Sequence, residues 1–149
     1  MTKPRVFTIG YEGADVDCFL ATLKDAGVET LADVRAVALS RKRGFSKSAL
    51  RDALSDQGIG YRHFIALGTP KEGRQAARAG DGELMRRIYC DEVLTSEPAQ
   101  EALRELETLA ATQPICLLCF ERDPATCHRR VLAQRLAEKG FETVDLTVL

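Results

Sequence analysis

ICLLCFERDPATCHRR, from Ile115 to Arg130, is the stretch that decides how the rest of the chain is read. Ile115 to Phe120 is an unbroken apolar run, short enough for a strand buried on both faces. Glu121 to Thr126 is a polar turn, and from Cys127 the spacing turns helical, with Val131, Leu132 and Leu136 on one stripe. Asp123 before Pro124 is a helix start signal: a capping carboxylate, then a proline at the first helical position, with Thr126 as the alternative cap. Either start places Cys127, His128, Arg129 and Arg130 in or just after the first turn.

Basic residues are disfavoured at a helix start, where unbonded N–H groups already carry partial positive charge. Two arginines and a histidine there suit an anion held among them, and the same field would lower the Cys127 pKa and favour its thiolate. The alternative is a buried cysteine with solvated arginines around a turn.

The chain has 149 residues, enough for one domain with a proper core, and its 45% hydrophobic and 29% charged content is that of a globular domain. A net charge of -1 excludes a general polycation, so nucleic-acid contact would need a local basic patch. Nothing approaches a membrane span, and MTKPRVFTIG lacks the shape of a signal peptide, which leads to the expectation of a cytoplasmic protein with no membrane partner. The cysteines are Cys18, Cys90, Cys116, Cys119 and Cys127; an odd count without a secretion signal predicts free thiols. Cys116 and Cys119, three apart in one predicted strand, should point to opposite faces and so share neither a disulfide nor a metal.

Upstream, Arg5 to Ile9, with VFTI as its apolar run, is a first strand ending at Gly10, and Tyr11, Glu12 and Gly13 follow as a glycine-flanked turn. That turn has neither a P-loop lysine nor G-x-G-x-x-G. Asp15 caps a helix with Val16, Phe19, Leu20 and Leu23 on one face, ended by Gly27. Val28 to Val34 is the second strand, ending in Asp33 and Arg35. AVALSRKRGFSKS reads as a long loop carrying Ser40, Arg41, Lys42, Arg43 and Lys47. Phe45 among those charges suggests a phosphate backbone held and a base stacked; a solvated loop is the alternative. A helix begins at Ser46 or Ser48 and closes at Gly58, and Ile59 to Phe64 is the third strand, with Tyr61 and His63 on one face. LGTPKEG reads as a loop, Arg74 to Gly82 has no clear pattern, and Glu83 to Leu94 is helical with Leu84, Ile88 and Val93 inward. Ser96 and Pro98 start a helix through Leu103, Leu106 and Leu109, stopped by Gln113 and Pro114. Beyond the organising stretch, Phe141 to Leu149 is the last strand.

The order β-α-β-α-β-α-α-β-α-β predicts a single α/β domain: a three-layer α/β/α sandwich around a mainly parallel, Rossmann-like sheet. In such sheets ligands bind beyond the carboxyl ends of the strands, where Tyr11 and Glu12, Asp33 and Arg35, His63, and Glu121, Cys127 and His128 all fall.

TIGYEG (Thr8 to Gly13), DVR (Asp33 to Arg35), SRKRGFSK (Ser40 to Lys47), Tyr61 with LGTP (Leu67 to Pro70) and LLCFERDPATCHR (Leu117 to Arg129) appear in this order over nearly the full length. In that combination the chain resembles the bacterial and archaeal family called domain of unknown function 488. The resemblance implies an α/β fold and a site at these positions; it implies no reaction.

Three chemistries suit these residues. The first is an enzyme on a phosphate-bearing nucleotide or nucleic acid, a hydrolase or transferase. Arg35, Arg41 and Arg129 would hold the anion among Tyr11, Asp33, Ser40 and His63; Cys127 would be the nucleophile or a neighbouring thiol, with His128 or His63 moving the proton. Arg129 follows Cys127 by only two residues, so the C-x-x-x-x-x-R loop of cysteine phosphatases is absent. A carboxylate variant gives Glu12, Asp33 and Glu121 acid–base work on a glycosidic bond. The second chemistry is a nucleotide or nucleic-acid binding module without turnover. The third is a metal held by Cys119, Cys127, His128 and His63; no pair has ordinary zinc spacing, so no metal ligand is assigned and the cofactor is left unknown.

Overall fold

The computed structural model describes residues 4–148, the side chain of Thr126 excepted. Five strands form one sheet: β1 (Arg5–Gly10), β2 (Thr30–Asp33), β3 (Gly60–His63), β4 (Ile115–Cys119) and β5 (Glu142–Leu146). Their spatial order is β3-β2-β4-β1-β5, and every pairing is parallel. The expected end of the last strand at Leu149 lies outside the described residues.

The apolar run that organises the sequence takes the middle of the sheet. All five residues of β4 are buried, because helices cover both faces. On one side Cys116 and Leu118 pack with Phe19, Leu23, Leu50 and Leu54, from α1 (Val16–Ala26) and α2 (Lys47–Asp56). On the other, Ile115, Leu117 and Cys119 pack with Leu106, Leu132 and Leu136, from α5 (Glu97–Thr112) and α6 (Arg129–Glu138). Cys116 and Cys119 thus belong to opposite layers, as the two-residue period of a strand requires. The architecture is the expected Rossmann-like α/β sandwich.

Local signals place the helices. The Asp15 carboxylate accepts the Cys18 N–H at 2.9 Å and starts α1, and Gly27, at φ 79°, ends it in the left-handed conformation that suits glycine. Ser96 caps α5 by accepting the Ala99 N–H, with a proline in the first turn.

Two helical segments ahead of β4 differ from expectation. Lys71–Arg78, read partly as loop and partly as patternless, is a helix, α3, entered from Pro70. Its buried positions are Gly73 and Ala76, so it packs through small residues and shows no apolar stripe for periodicity to detect. In α4 (Gly82–Ile88) and the π-helical turn Tyr89–Val93 that extends it, Met85 and Tyr89 are buried, while Leu84, Ile88 and Val93 are only partly covered. The core stripe is therefore displaced by one residue from the predicted one. The Tyr89 hydroxyl satisfies itself on the Leu67 carbonyl at 2.7 Å. Among the described residues no helix is long and apolar enough to cross a membrane.

Candidate functional site

Past their last residues the three central strands remain tied together. The N–H groups of Tyr11 and Glu12 donate to the carbonyls of Cys119 and Phe120, at 3.4 and 2.8 Å, and the Val34 N–H donates to Leu118 at 3.1 Å. A cleft of about 940 Å³ opens above this carboxyl edge. Its floor includes Tyr11, Arg35, Cys119 and His128, and one wall brings Thr69, Arg74 and Arg78 from α3 and the loop before it. Glu12, Glu121, Ser40 and Arg41 complete the polar lining. Val37, Leu39 and Phe120, all exposed apolar side chains, line it too.

Asp33 lies behind Arg35 rather than in the cleft. It is fully buried, and its carboxylate takes Arg35 Nε at 2.9 Å and Nη2 at 2.7 Å as a fork-on-fork pair. The Tyr61 hydroxyl donates to the same carboxylate at 2.5 Å. Burial lowers the Arg35 pKa, but the hydrogen bonds and charge of Asp33 outweigh it, so the net shift is upward and the guanidinium stays charged. Arg35 also donates to the Tyr11 hydroxyl at 3.3 Å and to the Phe45 carbonyl at 2.7 Å. Asp33 therefore positions Arg35, and its carboxylate is fully engaged, which takes it out of acid–base work.

Phe45 is completely buried, stacked on Tyr11 at 4.6 Å and edge-on to Phe19 at 5.0 Å. The base-stacking role considered for it is excluded by that packing; the exposed aromatic of the cleft is Phe120. Ser40 shapes the basic loop, its hydroxyl accepting the Lys42 N–H at 3.0 Å and its own N–H donating to Ser46 Oγ at 3.0 Å. Ser46 is thus turned toward Ser40 and makes no side-chain cap on α2. His63 is at the same sheet edge but beneath the cleft, with Nε2 2.7 Å from the Arg35 carbonyl.

The turn after β4 departs most from the sequence reading. Asp123 and Pro124 start not α6 but a single 3-10 turn, Pro124–Thr126. Cys127 is extended, and α6 then begins at Arg129 with His128 at its cap. The Arg130 and Val131 N–H groups donate to the Cys127 and His128 carbonyls, at 3.2 and 3.0 Å. Arg129 is completely buried and points back under the loop: Nη1 donates to the Glu121 carbonyl, Nη2 to that of Arg122 at 3.2 Å. Arg130 is exposed. The anion cradle expected at this helix start is therefore not assembled, because Arg129 is turned onto the loop carbonyls and the Arg130 and Val131 amides are bonded within the turn.

The expectation of free thiols is also corrected at one pair. Cys119 and Cys127 are joined as a disulfide, while Cys18, Cys90 and Cys116 are free. The loop folds back so that Cys127, at the foot of α6, meets Cys119 at the end of β4. Cys127 is 2% exposed, and in the disulfide-bonded chain its sulfur is not free to act as the nucleophile assigned to it. His128 lies alongside, its Nδ1 3.8 Å from Cys127 Sγ and its Nε2 2.7 Å from the Val34 carbonyl. A carbonyl only accepts, so Nε2 carries the proton and Nδ1 presents a lone pair. Burial pushes the His128 pKa down to about 4, leaving the ring neutral.

Of the carboxylates considered for catalysis, Glu12 and Glu121 line the cleft. Glu12 Oε1 accepts the Arg122 N–H at 3.0 Å. Glu121 Oε2 is 3.5 Å from Cys119 Sγ, and burial raises its pKa above the usual carboxylate range. Two polar lining residues escaped the sequence reading. Arg74 and Arg78 are one turn apart on α3, and the proline entry before an Arg-x-x-x-Arg pair was the available signal. Thr69 is 3% exposed, and among the described residues its hydroxyl has no hydrogen-bond partner.

The family model described as domain of unknown function DUF488 matches residues 15–136. No curated protein and no solved structure matches the chain. The match contains β2, the basic loop, Thr69 and the whole turn from Cys119 to Arg129, and the chain belongs to this family.

Proposed function

We propose that this member of the DUF488 family binds a phosphate-bearing nucleotide or nucleic-acid segment in the cleft at the carboxyl edge of its sheet. The observation that carries the reading is the lining: Arg35, Arg41, Arg74 and Arg78 stand with the unpartnered hydroxyl of buried Thr69. Against these four guanidinium groups the lining sets two carboxylates, Glu12 and Glu121, so it favours an anion. Guanidinium forks match phosphate oxygens, and a buried hydroxyl without a partner costs free energy that a ligand oxygen would recover. The exposed Phe120, beside Val37 and Leu39, offers the apolar surface on which a base stacks. In a hydrolase or transferase, Glu12 and Glu121, the carboxylates of the lining, would move the proton.

A non-catalytic binding module is the second reading, favoured by the engagement of Asp33, Arg129 and Cys127 in holding the fold. The test is a titration of the full chain with nucleoside mono-, di- and triphosphates and with short single- and double-stranded oligonucleotides, at several salt concentrations, with product analysis. Replacing Arg74 and Arg78 together by alanine should weaken binding at least tenfold and reduce the salt slope for an oligonucleotide by about 2, one for each arginine withdrawn from a phosphate. Binding of the small phosphates alone would narrow the ligand to a nucleotide. Turnover that Glu121→Gln abolishes at unchanged affinity would establish the enzyme. Absence of binding to every one of these ligands at low salt would overturn the proposal.

A further inference from the structure

We propose that Cys119, Cys127 and His128 form, in the reduced chain, a site for a thiophilic divalent metal ion of the zinc class. Their donor atoms, two Sγ and one imidazole nitrogen, lie within 4.8 Å of one another, and all three residues are buried. Ligands about 2.3 Å (sulfur) and 2.0–2.1 Å (nitrogen) from one tetrahedral ion are roughly 3.5–4 Å apart, a spacing this cluster reaches once the sulfurs separate. The inference uses donors that the anion reading does not, and stands or falls separately from it.

The surroundings are those of a metal ligand set. His128 donates through Nε2 to the Val34 carbonyl, which fixes the ring and leaves Nδ1 as the donor toward Cys127. A ligating imidazole anchored by its other nitrogen on a backbone carbonyl is the usual outer-shell arrangement. Arg129 Nη1 is 3.1 Å from Cys119 Sγ, where it stabilises a thiolate. Two thiolates and a neutral imidazole cancel the charge of a divalent ion, and sulfur donors select zinc-like metals over magnesium or calcium. Cys119 and His128 also line the cleft, so a fourth position opens toward it, with the Glu121 carboxylate beside Cys119. Three protein ligands with one open position is the pattern of catalytic rather than structural zinc.

The disulfide is then the oxidised, metal-free form. A phosphine reductant with water delivers two electrons and two protons across the S–S bond, giving two thiols and the phosphine oxide. The metal ion displaces the two thiol protons, and two metal–sulfur bonds form with no further change of oxidation state.

The test uses the full chain, stripped with a chelator and reduced with a phosphine, titrated with Zn²⁺ against a chromophoric competitor and separately with Co²⁺. One ion should bind per chain, and Co²⁺ should give thiolate-to-metal charge-transfer absorption with the intense visible bands of a tetrahedral site. Cys127→Ser and His128→Ala should each weaken binding by more than about 100-fold, beyond the effect of losing an outer-shell partner. Cys116→Ser and Cys18→Ser should leave it unchanged, and the oxidised chain should not bind. Absence of the charge-transfer band in the reduced wild-type chain would overturn the site whatever the variants do. Retention of full affinity in a folded Cys127→Ser chain would overturn it as well.

Discussion

Asp33→Ala should lower the unfolding free energy by about 3–5 kcal/mol, the cost of leaving a buried charge without its counterion. Asp33 is fully buried and Arg35 is 6% exposed, so water cannot replace the lost carboxylate. The substitution removes both arms of the Arg35 fork and the acceptor of the Tyr61 hydroxyl in one step. The loss comes from the stranded guanidinium rather than from the pair's net worth. Combining Asp33→Ala with Arg35→Met should therefore recover part of the stability. Urea denaturation of the wild-type, single and double variants checks both statements. A single-variant loss below about 1 kcal/mol would show that the pair is solvated. A double variant no better than the single one would show that Arg35 is not what suffers.

Gly10→Ala should be comparably damaging, and it reports on the site as well as on stability. A Cβ at Gly10 would sit 1.7 Å from the Glu121 carbonyl oxygen and 2.4 Å from its carbon, both backbone atoms that no side-chain rotation can clear. The loop cannot yield freely, because Arg129 holds the Glu121 and Arg122 carbonyls and Glu12 holds the Arg122 N–H. Overpacking of this kind costs about 1–3 kcal/mol, and the upper end is expected where backbone meets backbone. The displaced loop carries Phe120 and Glu121, so phosphate-ligand affinity should fall at least tenfold. Denaturation and ligand titration on the same preparation measure the two effects. Gly10→Ala with wild-type stability and affinity would mean that the loop does not rest on the end of β1.

The Gly10 contact joins segments far apart in the chain, whereas the Asp33–Arg35 fork spans two residues, and that contrast separates what could be read from the residues alone. The Asp15 and Ser96 caps, the Gly27 terminator and the opposite orientation of Cys116 and Cys119 follow from backbone geometry over a few residues, and each is where the sequence places it. The order of strands and helices follows from the same local periods, and a parallel sheet then gathers its strand ends at one edge. Tyr11, Arg35, Cys119 and His128 accordingly share a cleft floor.

What those residues do there was a tertiary decision. Phe45 is flanked by charge in sequence yet lies between Tyr11 and Phe19 in the core. Arg129 carries a charge that usually seeks water, yet it is buried because the loop turns two carbonyls inward for it. Arg74 and Arg78 reach the cleft on a helix whose small buried residues leave no apolar stripe. Cys127, with no metal-ligand spacing to Cys119, meets it only because the 3-10 turn folds the chain back over the end of β4. Spacing along a chain determines local conformation and the face a residue occupies. Whether a polar side chain meets solvent, a ligand or a carbonyl depends on which distant segment closes over it, and that is settled by packing.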